Sequence, residues 1–363
     1  MKRIPVKFIL IMIFFLYSCN REGDLDTFKI NRGINISHWL SQSTRRGAER
    51  LAWFTANDVK LIASLGFDHI RLPVDEEQLW DEKGNREEEA FALLHDAIKW
   101  CSDNSLRVIV DLHIIRSHHF NLPGKTLWVD PAEQDKLVNL WEQLSDELGD
   151  YPNGLVAYEI MNEAVADDPD DWNRLLGRTI SKIREKEPER TIVAGSNMWQ
   201  SVNTFPDLVI PANDENLILS FHFYLPFAFT HYKAGWTDLK DYTGSVHYPG
   251  EIISTDELSM QPEEIQKKLQ WVEFNYNRDS MIADIQTPVK YAKSHRLSLY
   301  CGEFGCYPTV DHDERLLWYR DFRSALEEYG ISWAAWDYKG GFGIVDREGK
   351  PYKDLVKALI PEK

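Results

Sequence analysis

The chain has 363 residues, 43% of them hydrophobic and 13 of them tryptophan, which is enough to bury one large core and excludes an intrinsically disordered protein. Its formal net charge of −17 repels phosphate backbones and argues against a nucleic-acid partner. A neutral polymer rich in hydroxyl groups suits such a surface better, because carboxylates accept hydrogen bonds from hydroxyls and aromatic rings stack on sugars.

The amino terminus has the pattern of an export signal. Three basic residues precede the apolar run Phe8–Tyr17, which is too short to span a bilayer. The run ends just before Cys19 and resembles a lipoprotein signal, in which the cysteine becomes the lipidated amino terminus. We expect a signal peptide over residues 1–18, a polar tether over 19–27 and one catalytic domain over 28–363. Lipidation predicts an exported protein on a bacterial membrane, in our interpretation the outer one, and simple cleavage or retention of the signal is the alternative.

The remaining cysteines, Cys101, Cys301 and Cys306, predict neither a disulfide framework nor a zinc site. The five residue steps from Cys301 to Cys306 span about 16 Å when extended, which is too far for a disulfide bond. The cysteines also lack the spacing of a zinc-binding cluster. We therefore interpret them as small core residues.

Apolar, β-branched runs alternate with amphipathic stretches along the body of the chain. Helices are predicted for Asn57–Leu65, Glu87–Asn104, Asp135–Leu148, Asp171–Glu185, Glu263–Phe274 and Asp313–Tyr329, with Thr55 as a cap candidate for the first. Strands are predicted for Ile30–Ile36, His69–Val74, Arg107–Leu112, Leu155–Met161, Thr191–Ala194, Leu217–Phe223, Leu297–Cys301 and Ser332–Trp336.

Eight repeats of strand and helix predict parallel strands joined by right-handed crossovers. The length of the chain favours a closed (β/α)8 TIM barrel in a single α/β domain. A doubly wound open sheet is the alternative, but no strand leads into a glycine-rich nucleotide-binding loop. About 70 residues separate the sixth and seventh strands, and this connection is rich in aromatic residues, glycine and histidine.

Reactive side chains of such a barrel lie at the carboxyl ends of its strands. Glu163 and Glu303 end separate strands, and two carboxylates facing one cleft are the arrangement that cleavage of a glycosidic bond requires. A single arginine or histidine at a strand end often has only a structural role, whereas a whole ordered set is much harder to obtain by accident. The residues that close the eight runs are Asn35, Arg71, His113, Asn162 with Glu163, Asn197, His222 with Tyr224, Glu303, and Trp336 with Asp337.

Two other classes of function compete with this hypothesis. A metal-dependent barrel hydrolase would use Asp111, His113 and His222, but that class commonly has an H-x-H pair on its first strand, where this chain offers only His38. We therefore predict no metal and no cofactor. An inactive, lipid-anchored glycan-binding protein is the second alternative, although both glutamates are present.

The ordered strand ends resemble glycoside hydrolase family 5, the cellulase-type family of retaining (β/α)8 enzymes in clan A. The likeness covers nearly the whole body, from Arg32–Leu40 to Trp333–Tyr338. Ala164 stands where the family usually has proline, and the loops Ile114–Trp128 and Phe227–Gln261 match nothing we can assign. The resemblance is carried by Arg71 in His69–Val74, His113 in Val110–His113, Asn162 and Glu163 in Glu159–Glu163, His222 and Tyr224 in Ser220–Tyr224, Glu303 in Gly302–Gly305, and Trp336.

The resemblance implies that Glu163 is the general acid and base and Glu303 the nucleophile. Local chemistry favours the same order, because Arg71 beside Glu303 would lower its pKa, and the charge of Glu303 would raise the pKa of Glu163. A retaining mechanism predicts carboxyl groups about 5–5.5 Å apart. The remaining roles are a 2-hydroxyl contact for Asn162, orientation of Glu303 by Tyr224, hydroxyl binding or support of the carboxylates by His113 and His222, a stacking floor from Trp336, and further sugar platforms from Trp39, Trp199 and Trp236.

The substrate is predicted less closely than the reaction. Members of the family act on several β-glycans with strand-end residues that barely change. We expect a β-glucan polysaccharide or oligosaccharide attacked internally, and an exo-acting or mannan-directed enzyme is the alternative.

Overall fold

The computed structural model describes residues 27–269 and 275–361. The barrel strands are β1 Arg32–Asn35, β2 His69–Asp75, β3 Arg107–Ile114, β4 Val156–Glu159, β5 Ile192–Gly195, β6 Leu217–Phe223, β7 Ser298–Phe304 and β8 Ser332–Ala335. These eight parallel strands close into one barrel in the order β1-β8-β7-β6-β5-β4-β3-β2. The (β/α)8 fold is therefore confirmed, and an open doubly wound sheet is excluded.

Seven α-helices of at least seven residues surround the barrel along the described chain. They are α1 Ala56–Ser64, α2 Glu88–Asp103, α3 Pro131–Leu148, α4 Pro169–Arg184, α5 Arg278–His295, α6 His312–Glu328 and α7 Lys353–Leu359. Shorter helical segments are Ala48–Trp53, Glu76–Leu79, Thr126–Val129, Asn197–Gln200, Phe227–Thr230, Thr255–Ser259 and Glu263–Lys268, with 3-10 turns at Val202–Asp207 and Asp238–Asp241.

Local sequence explains where the barrel helices begin. Asp130 and Asp168 each accept a hydrogen bond from a backbone N–H of the first turn, and proline follows each of them at the first helical position. The carboxylate of Asp58 accepts the backbone N–H of Thr55 at 2.8 Å, which closes the start of α1. Helix α5 was not predicted, because Pro288 interrupts its interior and proline normally ends a helix.

An inner layer of mostly apolar side chains fills the barrel, and a larger apolar cluster surrounds it. The inner layer takes one residue from each of six strands, and Phe28 and Ile30 pack against it just before β1 begins. Every residue of β2 and β6 is buried, as expected for parallel strands covered on both faces. The amino-terminal end of the barrel is thereby filled, which leaves the carboxyl end for polar side chains. The inner layer consists of Ile109, Ala157, Val193, Ile218, Tyr300 and Ala334.

The connection between β6 and β7 forms a packed insertion against the barrel. Its aromatic residues Phe229, Tyr232, Tyr242 and Tyr248 are buried, and the Tyr248 hydroxyl donates to Asp321 of α6 at 2.9 Å. Two short antiparallel strands, Gly250–Glu251 and Asn275–Tyr276, pair within it. We call residues 227–276 the β6–β7 insertion.

The predicted signal peptide, Cys19 and the tether up to residue 26 lie outside the described residues. Within the described part, no helix combines the length and apolarity needed to cross a membrane. Cys101, Cys301 and Cys306 are buried and free, in agreement with their interpretation as core residues.

Candidate active site

The two glutamates meet at the carboxyl end of the barrel. Glu163 follows β4 and Glu303 lies within β7, and one carboxylate oxygen of each lies within 4.8 Å of the other and of a His222 ring nitrogen. Both side chains are almost fully buried, yet both line a cleft of about 1950 Å³ across the barrel mouth. The cleft therefore places two carboxyl groups close enough to act on opposite faces of one sugar carbon.

Arg71 is the fully buried cation of the site. Its guanidinium donates to Glu303 Oε1 at 2.7 Å and to both oxygens of Glu159, at 2.6 and 3.1 Å. It also lies 2.9 Å from Asp111 and donates to Asn162 Oδ1 at 2.9 Å. One positive charge is thus shared among three buried carboxylates, and Nη1 also donates to Asn35 Oδ1 at 3.0 Å.

The charges in the cleft separate the pKa values of the two glutamates. Burial, reinforced by the nearby charge of Glu303, raises the pKa of Glu163 well above its ordinary value. Burial also raises the pKa of Glu303, while Arg71 and the Tyr224 hydroxyl oppose that rise. Arg71 lowers the pKa of Glu303 as expected, but the net direction is upward because burial of the carboxyl outweighs Arg71. The charge of Glu303 adds to burial at Glu163, whereas Arg71 and Tyr224 oppose burial at Glu303, so Glu163 is the carboxyl that holds a proton longer.

Three aromatic or imidazole side chains surround the pair. The Tyr224 hydroxyl donates to Glu303 Oε2 at 2.8 Å, and His222 Nδ1 lies 2.9 Å from Glu163 Oε1. His113 Nδ1 lies 2.6 Å from Asp111, and burial lowers the pKa of His113 to about 3. Neutral His113 therefore donates through Nδ1 and keeps Nε2 as an acceptor, which faces the Gln42 amide at 3.2 Å.

The tryptophans named as sugar platforms differ in their exposure. Trp336 lines the cleft and stacks on His113, with ring centroids 5.7 Å apart and planes within 5°. Trp199 is 44% exposed and Trp236 is 56% exposed, and both line the cleft. The prediction that Trp39 is a sugar platform was wrong, because its ring is fully buried against Phe54 and cannot contact a sugar.

Both loops that matched nothing in the sequence contribute to the cleft. The loop after β3 brings His119, Phe120 and Asn121 to its rim. The β6–β7 insertion contributes His231 and Trp236 among others, and the Trp236 ring packs edge-on against Tyr307 at 5.1 Å. The cleft walls are therefore built by connections, while the strands supply the floor.

Several polar residues of the site were not singled out from the sequence. Glu159 ties Arg71 to β4, and Gln200 donates to Glu159 at 3.1 Å. Asn162, predicted to contact the sugar 2-hydroxyl, has a buried amide nitrogen with no hydrogen-bond partner among the described residues, so it keeps a donor for a ligand. Asp111 was named only as a candidate metal ligand, and strand alternation places it with Ile109 and His113 on the inward face of β3.

Asp75 is a buried carboxyl of the cleft with one unpaired oxygen. Its Oδ2 accepts the backbone N–H of Gln42 at 2.6 Å, whereas Oδ1 has no partner among the described residues. Burial, with Glu77 and Asp111 nearby, raises the pKa of Asp75 to about 7. Because the folded-state pKa lies above the unfolded one, this group weakens the fold progressively as pH rises through 7.

We therefore expect Asp75→Asn to stabilise the fold more at pH 8 than at pH 5. The difference in the free energy of unfolding between the variant and the unmodified protein should be about 2 kcal/mol larger at pH 8. Urea unfolding of both proteins at the two pH values measures this difference. Asp58→Asn is the matched control, because hydrogen bonds from Thr55, Tyr338 and Lys339 lower the pKa of Asp58. Its effect should be the same at pH 5 and pH 8. Equal effects of Asp75→Asn at both values would contradict the prediction.

Comparison with known proteins places this site in a family. The family profile described as cellulase, glycosyl hydrolase family 5, matches residues 31–341, which include every barrel strand. The chain belongs to glycosyl hydrolase family 5. It is accordingly a glycoside hydrolase, and its two glutamates lie at the fourth and seventh strands of a family 5 barrel.

Relatives of this family 5 enzyme cover nearly its whole length. Endoglucanase C of Acetivibrio thermocellus is 31% identical over 340 residues, which cover 91% of this chain and 98% of that protein. Cellodextrinase A of Ruminococcus flavefaciens is 29% identical over 308 residues, 84% of each chain. A solved hyperthermophilic endo-beta-1,4-glucanase in complex with substrate has a TM-score of 0.75 at 25% identity, covering 92% of this chain and 97% of that one. Cel5A of Thermotoga maritima with a mannotriose substrate has a TM-score of 0.73 at 25% identity, over 91% and 97%.

Proposed function

We propose that this family 5 enzyme cleaves β-glucan chains internally and retains the configuration at the anomeric carbon. The observation that carries the proposal is the separation of at most 4.8 Å between carboxylate oxygens of Glu163 and Glu303. Retaining glycosidases keep their carboxyl groups about 5–5.5 Å apart, whereas inverting enzymes need about 6.5–9.5 Å for an intervening water.

The surroundings of each glutamate support distinct roles. Glu303 is held by Arg71 and Tyr224, so its oxygens are oriented and its ionised form is favoured. Burial and the charge of Glu303 raise the pKa of Glu163 well above its ordinary value, so its carboxyl favours the protonated form. Glu303 is therefore suited to act as the nucleophile and Glu163 as the general acid.

In the first step, the Glu163 carboxyl gives its proton to the glycosidic oxygen while Glu303 attacks the anomeric carbon. The bond to the leaving sugar breaks and a glycosyl ester to Glu303 forms. Formation of the ester removes the charge of Glu303, which lowers the pKa of Glu163 and makes it a base. Glu163 then takes a proton from water, the water oxygen attacks the same carbon, and the ester bond breaks.

The substrate class rests on the relatives and on the cleft. Relatives named endoglucanase and cellodextrinase align over most of this chain. The cleft crosses the barrel mouth and carries exposed Trp199 and Trp236, which suits binding of a chain on both sides of the cleaved bond. A β-glucan attacked within the chain is the substrate that fits these features.

Two measurements test the proposal. Proton NMR of the first products should show the β-anomer in excess before mutarotation, and an initial α-anomer would rule out retention.

The second measurement incubates the enzyme with a panel of pure polysaccharides. The β-glucans should release reducing ends, with a broad range of product lengths early in the reaction. Products from mannans alone would overturn the glucan assignment, and a single short product from the outset would indicate exo action.

We also propose that residues 1–18 are removed on export and that Cys19 carries the lipid that attaches the enzyme to a membrane. The basic residues, short apolar run and cysteine support this, and a stable anchor requires more than one acyl chain. Cys19→Ala should release the enzyme from the membrane fraction after an alkaline wash. Retention of that variant in the membrane fraction would refute the proposal.

A further inference from the structure

The backbone of Glu163 adopts a conformation that its residue type disfavours. Its φ is 45°, in the left-handed region where a side chain beyond glycine is strained. Such a conformation persists only when neighbouring groups fix it from several sides. The residue is also the one whose carboxyl must reach a glycosidic oxygen, so its backbone support bears directly on the reaction.

Gln200 holds the amide side of this residue. Its Oε1 accepts the backbone N–H of Glu163 at 3.2 Å, and its Nε2 donates to Glu159 at 3.1 Å. The side chain is buried, and a Cβ added at Gly195 would lie 2.2 Å from Nε2, so the amide fills space that only glycine leaves open.

The turn that presents Gln200 is itself in an unusual conformation. Met198, Trp199 and Gln200 have φ values of 53°, 61° and 52°. Three successive non-glycine residues in the left-handed region aim Gln200 inward, while Trp199 stays exposed in the cleft. The strained turn therefore positions the Gln200 side-chain amide beside the Glu163 backbone.

His118 holds the carbonyl side. Its Nε2 lies 3.2 Å from the Glu163 backbone oxygen, and its ring packs edge-on against Trp128 at 5.3 Å. Burial lowers the pKa of His118, so the neutral ring donates from Nε2–H to the carbonyl. The Trp199 indole N–H donates to the Phe120 carbonyl at 3.0 Å, which ties together the two loops that carry His118 and Gln200.

We propose that Gln200 and His118 are positioning residues that clamp the Glu163 backbone from both sides and so keep its carboxyl within reach of the leaving group. The clamp continues from Gln200 through Glu159 and Arg71 to Glu303, which fixes the acid relative to the nucleophile. This inference rests on the proposed role of Glu163 as the general acid.

The clamp predicts a loss that depends on the leaving group. Gln200→Met keeps the volume and removes both hydrogen bonds, and it should lower kcat/KM on cellotetraose by about 10- to 100-fold, because a misplaced acid forfeits much of general acid catalysis. With 2,4-dinitrophenyl β-cellobioside the leaving group departs without a proton, so kcat/KM should stay within about 2-fold of the unmodified enzyme. His118→Phe should show the same split, and the double variant should lose less than the product of the two single losses.

Matched controls separate positioning from general damage. Gln143 and His95 bond to groups outside the cleft, so Gln143→Met and His95→Phe should leave both substrates unaffected. Equal losses on both substrates in Gln200→Met and His118→Phe, or no loss on either, would overturn the clamp. Glu163→Gln distinguishes this outcome from failure of the proposed function, because it must show the substrate split if Glu163 is the acid. A split in Glu163→Gln without one in the clamp variants refutes only the clamp.

Discussion

Glu303→Gln should lower kcat on a β-glucan by about 10⁵-fold, a loss of the size seen when a catalytic nucleophile is removed. The amide preserves the shape of the side chain but cannot form the glycosyl ester. Substrate binding should persist, because the cleft walls and Trp336 are untouched. Initial rates and calorimetric binding of cellotetraose measure the two effects, with Glu327→Gln on α6 as a control that leaves the rate unchanged.

The same experiment addresses the alternative of an inactive glycan-binding protein. If the unmodified enzyme binds β-glucan but releases no reducing ends, that alternative gains support and the nucleophile assignment fails.

Small nucleophiles separate the roles of the two glutamates further. With azide, Glu163→Ala acting on an activated aryl glycoside should give a β-glycosyl azide, because azide replaces water in the second step. Glu303→Ala should instead give the α-glycosyl azide, and reversed products would exchange the two assignments.

Arg71→Met should be the most destabilising single substitution among the residues of the site. It leaves Asp111, Glu159 and Glu303 buried without their shared cation, and removal of one partner from a buried ion cluster costs about 3–5 kcal/mol. Urea unfolding at pH 8 should show this loss of free energy. A partial recovery is expected in the double variant Arg71→Met with Glu159→Gln, because one of the unpaired charges is then removed.

The pH dependence of that loss provides a second check. Without Arg71 the three carboxyls have folded-state pKa values above their unfolded ones, so their destabilisation grows as pH rises and is relieved as they gain protons at lower pH. The deficit of Arg71→Met should therefore be smaller at pH 5 than at pH 8. Arg190→Met is the matched control, because buried Arg190 donates to four backbone carbonyls and a single carboxylate. A deficit of Arg71→Met that does not change with pH would contradict the charge argument.

Much of the barrel is predictable from the sequence because parallel strands buried on both faces read as unbroken apolar runs. All eight predicted strands overlap the observed ones, and β6 matches at both ends. The carboxyl ends of such strands meet at one mouth, so the residues that close the runs converge there. Arg71, His222, Tyr224 and both glutamates are brought together for that topological reason.

The remaining features depend on packing that a one-dimensional pattern does not contain. Trp39 follows the first strand as a cleft residue would, but its direction is set by contacts with Phe54 and by a hydrogen bond to the Arg50 carbonyl. The net direction of the Glu303 pKa depends on how deeply its carboxyl is buried, which the sequence pattern does not give. Gln200 reaches Glu163 only through three left-handed residues, a conformation for which its sequence carries no glycine signal.

The β6–β7 insertion gives the enzyme a modular construction. Its residues Phe229, Tyr232, Tyr242 and Tyr248 are buried, and Tyr248 donates to Asp321 of α6, whereas His231 and Trp236 are among its residues that line the cleft. Glu163, the proposed acid, follows β4, and Glu303, the proposed nucleophile, lies in β7 and accepts a hydrogen bond from Arg71 of β2. The two glutamates and this part of the cleft wall therefore come from different segments of the chain, which meet where His231 packs edge-on against Tyr224. A substitution at the exposed Trp236 can thus change the wall while the hydrogen bonds of Glu163 and Glu303 stay in place.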